Sequence, residues 1–124
     1  MSADAAARTP TECVLVSGLI DWGYASWVTN AIWSLCAAEA RRTMTIGLIA
    51  ELVTAGLIVP GDVDEQGHHA WPHSPGDAIE RITREWLTEW RDEIPTPGAI
   101  VWFANTEAGD EIAREVLARE VGML

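Results

Sequence analysis

Residues 43–62 read TMTIGLIAELVTAGLIVPGD, and this stretch decides the fold. Its first part predicts an amphipathic helix, because apolar residues recur at spacings of three and four. Those residues are Met44, Leu48, Ile49, Leu52 and Val53. Gly56 tolerates the left-handed backbone conformation with which many helices end. Residues 57–59 then have the composition of a strand, which ends at Pro60 and Gly61. The sequence therefore predicts a helix, a stop and a strand in that order.

The length and composition predict one folded domain. A chain of 124 residues has room for a single core. Its hydrophobic fraction of 48% and its seven tryptophans argue against intrinsic disorder. We expect residues 1–124 to form one domain, with residues 1–8 disordered.

The chain is strongly acidic. Nineteen acidic residues stand against eight basic ones, which gives a formal charge of -11, and every base is an arginine. Such a charge opposes approach to nucleic acid or to an anionic membrane and favours basic partners. The alternative interpretation is that the acidity only keeps a tryptophan-rich protein in solution.

The two cysteines and the N-terminal region indicate a cytoplasmic location. Cys13 and Cys36 have no CxxC spacing, and we expect both to be buried free thiols. Residues 1–12 lack a basic segment followed by a long apolar one, so they do not resemble a signal peptide. Apolar runs elsewhere fall short of the roughly 20 residues that span a bilayer.

The N-terminal region predicts two helices. Thr9 and Pro10 have the pattern of a helix cap and first helical residue. A helix is expected over residues 12–20, although β-branched residues leave a strand as the alternative. Ser26 is a candidate cap for a second helix that ends near Ala40.

The second half predicts a loop, a helix, a strand and a final helix. Residues 60–75 are rich in turn formers and predict an irregular loop that contains all three histidines. Ser74 begins a capping sequence that predicts a helix over residues 75–92. The apolar run AIVWFA at residues 99–104 predicts a buried strand. Asn105 and Thr106 then suit the cap of a last helix over residues 107–121.

Acid-before-base spacings on the helix over residues 75–92 predict two ion pairs. Asp77 precedes Arg81 by four residues, and Glu80 precedes Arg84 by four. Residues at this spacing lie next to each other on a helix surface.

This order of elements resembles that of winged-helix transcriptional regulators of the MarR and PadR kind. In those families a recognition helix ends at a glycine followed by leucine and isoleucine, and the second wing strand leads through a threonine-containing turn and a glycine into the final helix. The matching residues here are Leu52, Gly56, Leu57, Ile58, Trp102, Phe103, Thr106 and Gly109. The resemblance implies an α+β, mostly helical fold with a two- or three-stranded antiparallel sheet. It also allows a homodimer formed through terminal helices.

Two departures from these families bear on function. The wing would carry a helix-bearing insertion over residues 60–98. The helix that matches the recognition helix offers little base-reading chemistry, since arginine, lysine, asparagine and glutamine make most base contacts. For the alternative of a DNA-binding regulator, the candidate contacts are Arg41, Arg42, Thr43 and Thr45.

The histidines give a weak metal hypothesis. His68, His69 and His73 lie near carboxylates, and imidazole and carboxylate ligands suit zinc or manganese. Pro72 prevents His69 and His73 from sharing one helical face. We therefore favour a solvated loop and predict no metal.

The sequence contains no signature of catalysis. It has no GxSxG, no P-loop and no GxGxxG, and the lack of lysine excludes a Schiff base on a side chain. We therefore predict a non-enzymatic protein without a cofactor.

Trp71 lies beside Pro72 in the acidic segment, where we expect it to be exposed. An aromatic group ringed by acids suits an interface with a basic protein. The leading hypothesis is a non-catalytic domain that binds another protein, as an inhibitor or immunity-type partner of a basic protein. The predicted binding residues are Asp62, Asp64, Glu65, Trp71, Glu85 and Glu89.

Overall fold

A computed structural model describes residues 7–122. The helices are α1 (Pro10–Gly18), α2 (Ala25–Ile32), α3 (Arg41–Thr54), α4 (Pro75–Glu85) and α5 (Glu107–Gly122). The strands are β1 (Gly23–Tyr24), β2 (Ile58–Asp64), β3 (Gly67–Ala70) and β4 (Trp102–Asn105). Of residues 1–8, which we expected to be disordered, 1–6 lie outside the described residues. Arg8 is not disordered, because its guanidinium contacts the Glu120 carboxylate at 2.6 and 2.7 Å.

The strands form one antiparallel sheet in the order β1-β4-β2-β3. Gly61 of β2 lies opposite Trp102 of β4, and Trp102 in turn lies opposite Tyr24 of β1. The predicted α+β class with a small antiparallel sheet is confirmed. The sheet has four strands rather than two or three, because the insertion contributes β3 and the segment between α1 and α2 contributes β1.

The prediction of an irregular loop over residues 60–75 is wrong. Strand β2 continues to Asp64, and a two-residue turn leads into β3. Gly67 adopts a φ of 119° directly after this turn, a conformation that glycine tolerates. Pro60 lacks an N–H, but its carbonyl accepts a 3.0 Å hydrogen bond from the Trp71 amide and extends the pairing. The turn-forming residues thus coexist with a regular β2–β3 hairpin.

Helix α1 forms as predicted, and the alternative of a strand is wrong. The Thr9 hydroxyl accepts from the Glu12 amide at 3.1 Å, and the Glu12 carboxylate accepts from the Thr9 amide at 2.8 Å. This reciprocal pair is a capping box, which satisfies two free amides at the helix start.

Helix α2 is shorter than predicted and is not capped by Ser26. It begins at Ala25, because Tyr24 is still extended in β1. It ends at Ile32, and two short 3₁₀ turns, Trp33–Leu35 and Ala38–Ala40, lead to α3.

Helix α3 ends as predicted, with Gly56 at a φ of 73°. Helix α4 begins as predicted, since the Ser74 hydroxyl accepts from the Asp77 amide at 3.2 Å. It ends earlier, at Glu85, and a π-helical turn over Trp86–Trp90 follows. Arg91 terminates this turn at a φ of 51°, so the regular helix does not reach residue 92.

One of the two predicted ion pairs on α4 forms. Glu80 and Arg84 approach to 3.6 Å. Arg81 instead pairs with Glu85 at 3.2 Å, and the prediction of an Asp77–Arg81 pair is wrong. Asp77 lies in the first turn of α4, where its backbone amide donates to the Ser74 hydroxyl.

The start of α5 is tied to the end of α3. Thr106 accepts from the Gly109 amide at 3.1 Å, as expected of a helix cap, and its hydroxyl donates to the Gly56 carbonyl at 2.6 Å. Gly109 lies so close to the Leu57 carbonyl that a Cβ at this position would collide with it. Strand β4 begins only at Trp102, later than the predicted residue 99.

The core lies between the helices and one face of the sheet. Its largest fully buried side chains include Trp86, Leu15, Ile49, Leu52 and Ile82. The Trp86 indole donates to the Glu93 carbonyl at 3.0 Å, so its one polar atom is satisfied. Cys13 and Cys36 are free thiols, but they are half-buried rather than buried.

Candidate protein-binding site

The β2–β3 hairpin presents three of the predicted binding residues. Asp62, Asp64 and Glu65 are all exposed. The Asp64 carboxylate accepts from the Gln66 amide at 2.7 Å and contacts His69 Nε2 at 2.8 Å. The Gln66 hydrogen bond, followed by that of His69, lowers the pKa of Asp64 below its ordinary value. Asp64 therefore stays negatively charged at neutral pH.

The expectation that Trp71 is exposed is wrong. Only 8% of its surface is accessible. Its amide continues the hairpin pairing, which turns the side chain inward, and the Arg81 guanidinium carbon lies 3.8 Å from its ring centroid. An irregular loop over residues 60–75 would leave Trp71 exposed, whereas the hairpin pairing buries it. Trp71 is a packing residue and cannot anchor a partner at the surface.

The remaining two predicted residues lie beyond the hairpin. Glu85 is half-buried and pairs with Arg81, while Glu89 is exposed in the π-helical turn. Within residues 7–122, no hydrogen bond or ion pair joins either of them to Asp62, Asp64 or Glu65. The acids of the hairpin are therefore separate from Glu85 and Glu89.

Trp22 is an exposed aromatic residue that lies against the hairpin. Its side chain is 39% exposed. A Cβ placed on Gly67 would lie 3.7 Å from Cζ2 of Trp22, so the indole lies next to the first residue of β3. Asp21 precedes it and accepts from the Trp22 amide at 2.8 Å, and the neighbouring Ile20 is 89% exposed. We call this group the hairpin end and define it as Ile20, Asp21, Trp22, Asp62, Asp64 and Glu65.

Sequence reasoning missed Trp22 and placed Ile20 in the first helix. The only local signal was the break in helical periodicity at Asp21. The contact with Gly67 depends on the tertiary structure, so no spacing within the N-terminal region could have revealed it.

The hairpin end keeps its negative charge. Across the described part of the chain, none of its four acids pairs with an arginine. Five of the eight arginines pair elsewhere with carboxylates. These pairs are Arg8–Glu120, Arg42–Asp92, Arg81–Glu85, Arg84–Glu80 and Arg119–Glu12.

The candidate nucleic-acid contacts are largely engaged within the chain. The Arg41 guanidinium carbon lies 3.5 Å from the Trp33 ring centroid, and Arg41 also donates to the Trp33 carbonyl at 3.2 and 3.3 Å. Arg42 donates to the Arg91 carbonyl at 2.8 Å and to Asp92 at 3.1 Å.

The two threonines differ in exposure. Thr43 is exposed. Thr45 is fully buried, and its hydroxyl bonds to that of Thr29 on α2 at 2.9 Å. The expectation that Thr45 lies on the outer face of the helix is therefore wrong, because its hydroxyl is satisfied inside the core.

The three histidines do not converge. His68 Nε2 lies 3.1 Å from the Trp102 carbonyl, whereas His69 contacts Asp64. His73 tilts against the Trp71 ring, with centroids 5.6 Å apart. Over residues 7–122, no group of three or more histidine, cysteine, aspartate or glutamate side chains is placed to hold a metal ion.

None of the helices within residues 7–122 combines the length and the apolar character needed to cross a membrane. Comparisons with protein-family models, with curated proteins and with solved structures gave no match for this chain.

Proposed function

We propose that this chain is a non-catalytic, winged-helix-like domain that binds a basic protein through the hairpin end. Its role would be that of an inhibitor or immunity-type partner. The observation that carries the proposal is Trp22, a half-exposed indole held against Gly67 beside carboxylates that no arginine neutralises.

This arrangement suits an interface with a cationic surface. Tryptophan is enriched among the residues that dominate binding energy, because a large apolar surface is desolvated at once. An arginine or lysine of the partner can stack on the indole face. The surrounding acids attract a basic partner from a distance and disfavour acidic competitors.

The connectivity supports the winged-helix-like part of the proposal. Strand β1 lies between α1 and α2 in sequence and pairs with β4, which lies beside β2. Strand β2 follows α3 directly, as the first wing strand would. The insertion then supplies the end of β2, strand β3 and helix α4, which packs against α3.

A DNA-binding regulator is the second candidate, and the same connectivity favours it. Against it stand the engagement of Arg41 and Arg42 by Trp33 and Asp92 and the formal charge of -11. Phosphate contacts from free basic side chains supply most non-specific affinity for DNA. We therefore rank protein binding first. The two free thiols support a reducing compartment such as the cytoplasm.

The proposal can be tested by affinity capture from lysate of the native host. Immobilised protein is compared with Trp22→Ala and with Trp33→Ala, a matched control at another exposed tryptophan, which is 48% accessible. We expect the wild type and the Trp33→Ala control to capture one basic protein in stoichiometric amount, and Trp22→Ala to fail to capture it. Added salt should release this protein. Recovery of nucleic acid alone, or equal recovery on both variants, would contradict the proposal.

Titration with random duplex DNA at low ionic strength separates the two candidates. A regulator is expected to bind with a steep dependence on salt. The acidic protein-binding domain is expected to show no measurable affinity.

A further inference from the structure

Strand β3 is an open edge of the sheet. It lies last in the order β1-β4-β2-β3, so only one of its sides is paired. The Trp71 amide donates to the Pro60 carbonyl at 3.0 Å, which makes these two residues a hydrogen-bonded pair. Hydrogen-bonded and non-hydrogen-bonded pairs alternate along an antiparallel ladder. The main chain of His69 therefore faces β2, whereas the N–H and C=O groups of His68 and Ala70 point away from it.

These outward groups have no hydrogen-bond partner in the described part of the chain. Within residues 7–122, no backbone or side-chain hydrogen bond from another segment ends on the N–H or C=O of His68 or Ala70. Ala70 is exposed, and His68 is half-buried. We define the β3 edge as the main-chain N–H and C=O groups of these two residues. A row of unpaired N–H and C=O groups is a template for a further strand.

The two edges of the sheet differ in how they are protected. Proteins commonly protect an edge with proline, lysine, a bulge or a very short strand. The opposite edge is protected by its length, since β1 has only two residues. Strand β3 has four residues with neither proline nor lysine among them, and it pairs with Gly61 to Asp64 without a bulge. The β3 edge can therefore accept an extended segment, whereas β1 is too short to do so.

The charge beside the β3 edge selects the kind of segment. Asp62 and Asp64 lie opposite His69 and Gly67 in the ladder, and Glu65 follows in the turn. A strand added beyond β3 would lie about 10 Å from β2, since neighbouring strands are about 4.8 Å apart. That separation is close to the Debye length of about 10 Å at 0.1 M salt, so the acids attract basic side chains on the added strand.

A second copy of this chain suits the β3 edge less well. Pairing β3 with itself would bring together two chains that each carry a formal charge of -11. Self-repulsion of this kind keeps strongly charged proteins monomeric.

We propose that an extended, basic segment of the protein partner adds to the β3 edge as a fifth strand of the sheet. Its main chain pairs with the N–H and C=O groups of His68 and Ala70, which supplies affinity, and its basic side chains meet the acids of the hairpin, which supplies specificity. The identity of the occupant as a protein partner rests on the proposed function, whereas the open edge does not.

Two peptides test the β3 edge without the native partner. Acetyl-TRVRVRT-amide is a basic strand former, and acetyl-TEVEVET-amide is its acidic counterpart. Each is titrated into ¹⁵N-labelled protein at low ionic strength while amide hydrogen exchange is followed. We expect the basic peptide alone to slow exchange at His68 and Ala70 by about tenfold, which is the effect that one hydrogen bond supplies. The His69 amide is the internal control, because it already pairs with Asp62.

Two variants at Ala70 locate the pairing. Ala70→Pro removes one outward N–H, and proline is tolerated where the N–H side of an edge strand faces solvent. Ala70→Ser keeps the N–H and is the matched control. Circular dichroism establishes that each variant folds. We expect Ala70→Pro to weaken binding of the basic peptide by about tenfold and Ala70→Ser to leave it unchanged. If Ala70→Pro does not fold, the exchange pattern of the wild type still decides.

Three results would overturn the proposal. They are the lack of protection at His68 and Ala70 with the basic peptide, equal binding of both peptides, and equal affinity of the two Ala70 variants. Protection that rises with protein concentration in the absence of peptide would assign the edge to a second copy and overturn it as well.

Failure of this inference can be distinguished from failure of the proposed function. If the captured basic protein is recovered equally on the wild type and on Ala70→Pro, protein binding stands and the added strand is excluded. If no protein is captured at all, the proposed function fails, and the peptide titration still decides whether the β3 edge accepts a basic strand.

Discussion

At the contact between α1 and α5, carboxylates meet arginines, whereas at the hairpin end they do not. Arg8 pairs with Glu120 through two contacts, and Arg119 pairs with Glu12 at 2.9 Å. We call these four residues the α1–α5 seam. The acids of the hairpin end lie beside an exposed indole and have no arginine among the described residues. The scarce arginines thus join helices at one place and leave another place negatively charged.

The largest expected effect is on partner affinity at the hairpin end. Trp22→Ala should weaken binding by about 30-fold, or about 2 kcal/mol, because it removes the largest apolar side chain there. Titration calorimetry with the captured partner measures the loss. Thermal unfolding of the variant is measured as well, because the part of Trp22 that packs beside the hairpin contributes to stability. An unchanged affinity in Trp22→Ala would show that the two regions do not differ in this way.

The second-largest expected effect is a loss of folding stability at the start of α1, next to the α1–α5 seam. Thr9→Ala removes the hydroxyl half of the α1 capping box and should lower the free energy of unfolding by about 1 kcal/mol. Urea denaturation measures the change. Partner affinity should not change, because Thr9 is not part of the hairpin end. A loss of affinity as large as the loss of stability would mean that the two regions are coupled.

A smaller effect is expected from the hairpin charges. The double variant Asp64→Asn and Glu65→Gln should weaken partner binding by about threefold at low ionic strength, mainly through slower association. The difference should disappear at high salt, where exposed charges are screened. Stopped-flow association rates measure it. The matched control neutralises Glu111 and Glu115, two exposed acids of α5 for which the described residues show no ion pair.

The smallest effect is on the acid sensitivity of the seam. Hydrogen bonds from Arg119 and Arg8 hold the pKa values of Glu12 and Glu120 below their ordinary value of 4.5. A lowered pKa in the folded state contributes stability that is present above pH 4.5 and is lost as the pH falls through the folded-state pKa. Urea denaturation at a series of pH values measures this loss.

The double variant Arg8→Ala and Arg119→Ala is the control for acid sensitivity. It should lose less stability on acidification than the wild type, because its carboxylates have no guanidinium to lose. Identical pH profiles would mean that the seam contributes nothing measurable. The pKa of Asp64 at the hairpin end is also lowered, by its hydrogen bonds to Gln66 and His69, and the double variant should leave that part of the acid sensitivity unchanged.

Local signals in the sequence predicted several helix termini, although not the start of α2, where Ser26 is not the cap. Thr9, Ser74 and Thr106 each cap a helix, and Gly56 ends one, because these roles depend on the backbone within a single turn. The order of the five helices and of strands β2 and β4 was predicted from such local signals, whereas β1 and β3 were not. The end of α4 was not predicted. A π-helical turn over Trp86–Trp90 follows α4 and places Trp86 in the core, where its indole donates to the Glu93 carbonyl. Tertiary packing sets this arrangement.

Long-range pairing explains what the sequence did not reveal. Strand β3 exists because β2 supplies its partner, although the segment itself is rich in turn formers. As a result, Trp71 is buried by the pairing, whereas Trp22 lies exposed beside the hairpin. The candidate site could be predicted as far as its acids, Asp62, Asp64 and Glu65, but its aromatic residue could not.

The junction between the end of α3 and the start of α5 has an evolutionary consequence. Thr106 binds the Gly56 carbonyl, and Gly109 leaves no room for a side chain beside Leu57. A mutation on either side of this junction is therefore constrained by residues some fifty positions away. Distant homologues should be recognisable by both short motifs together.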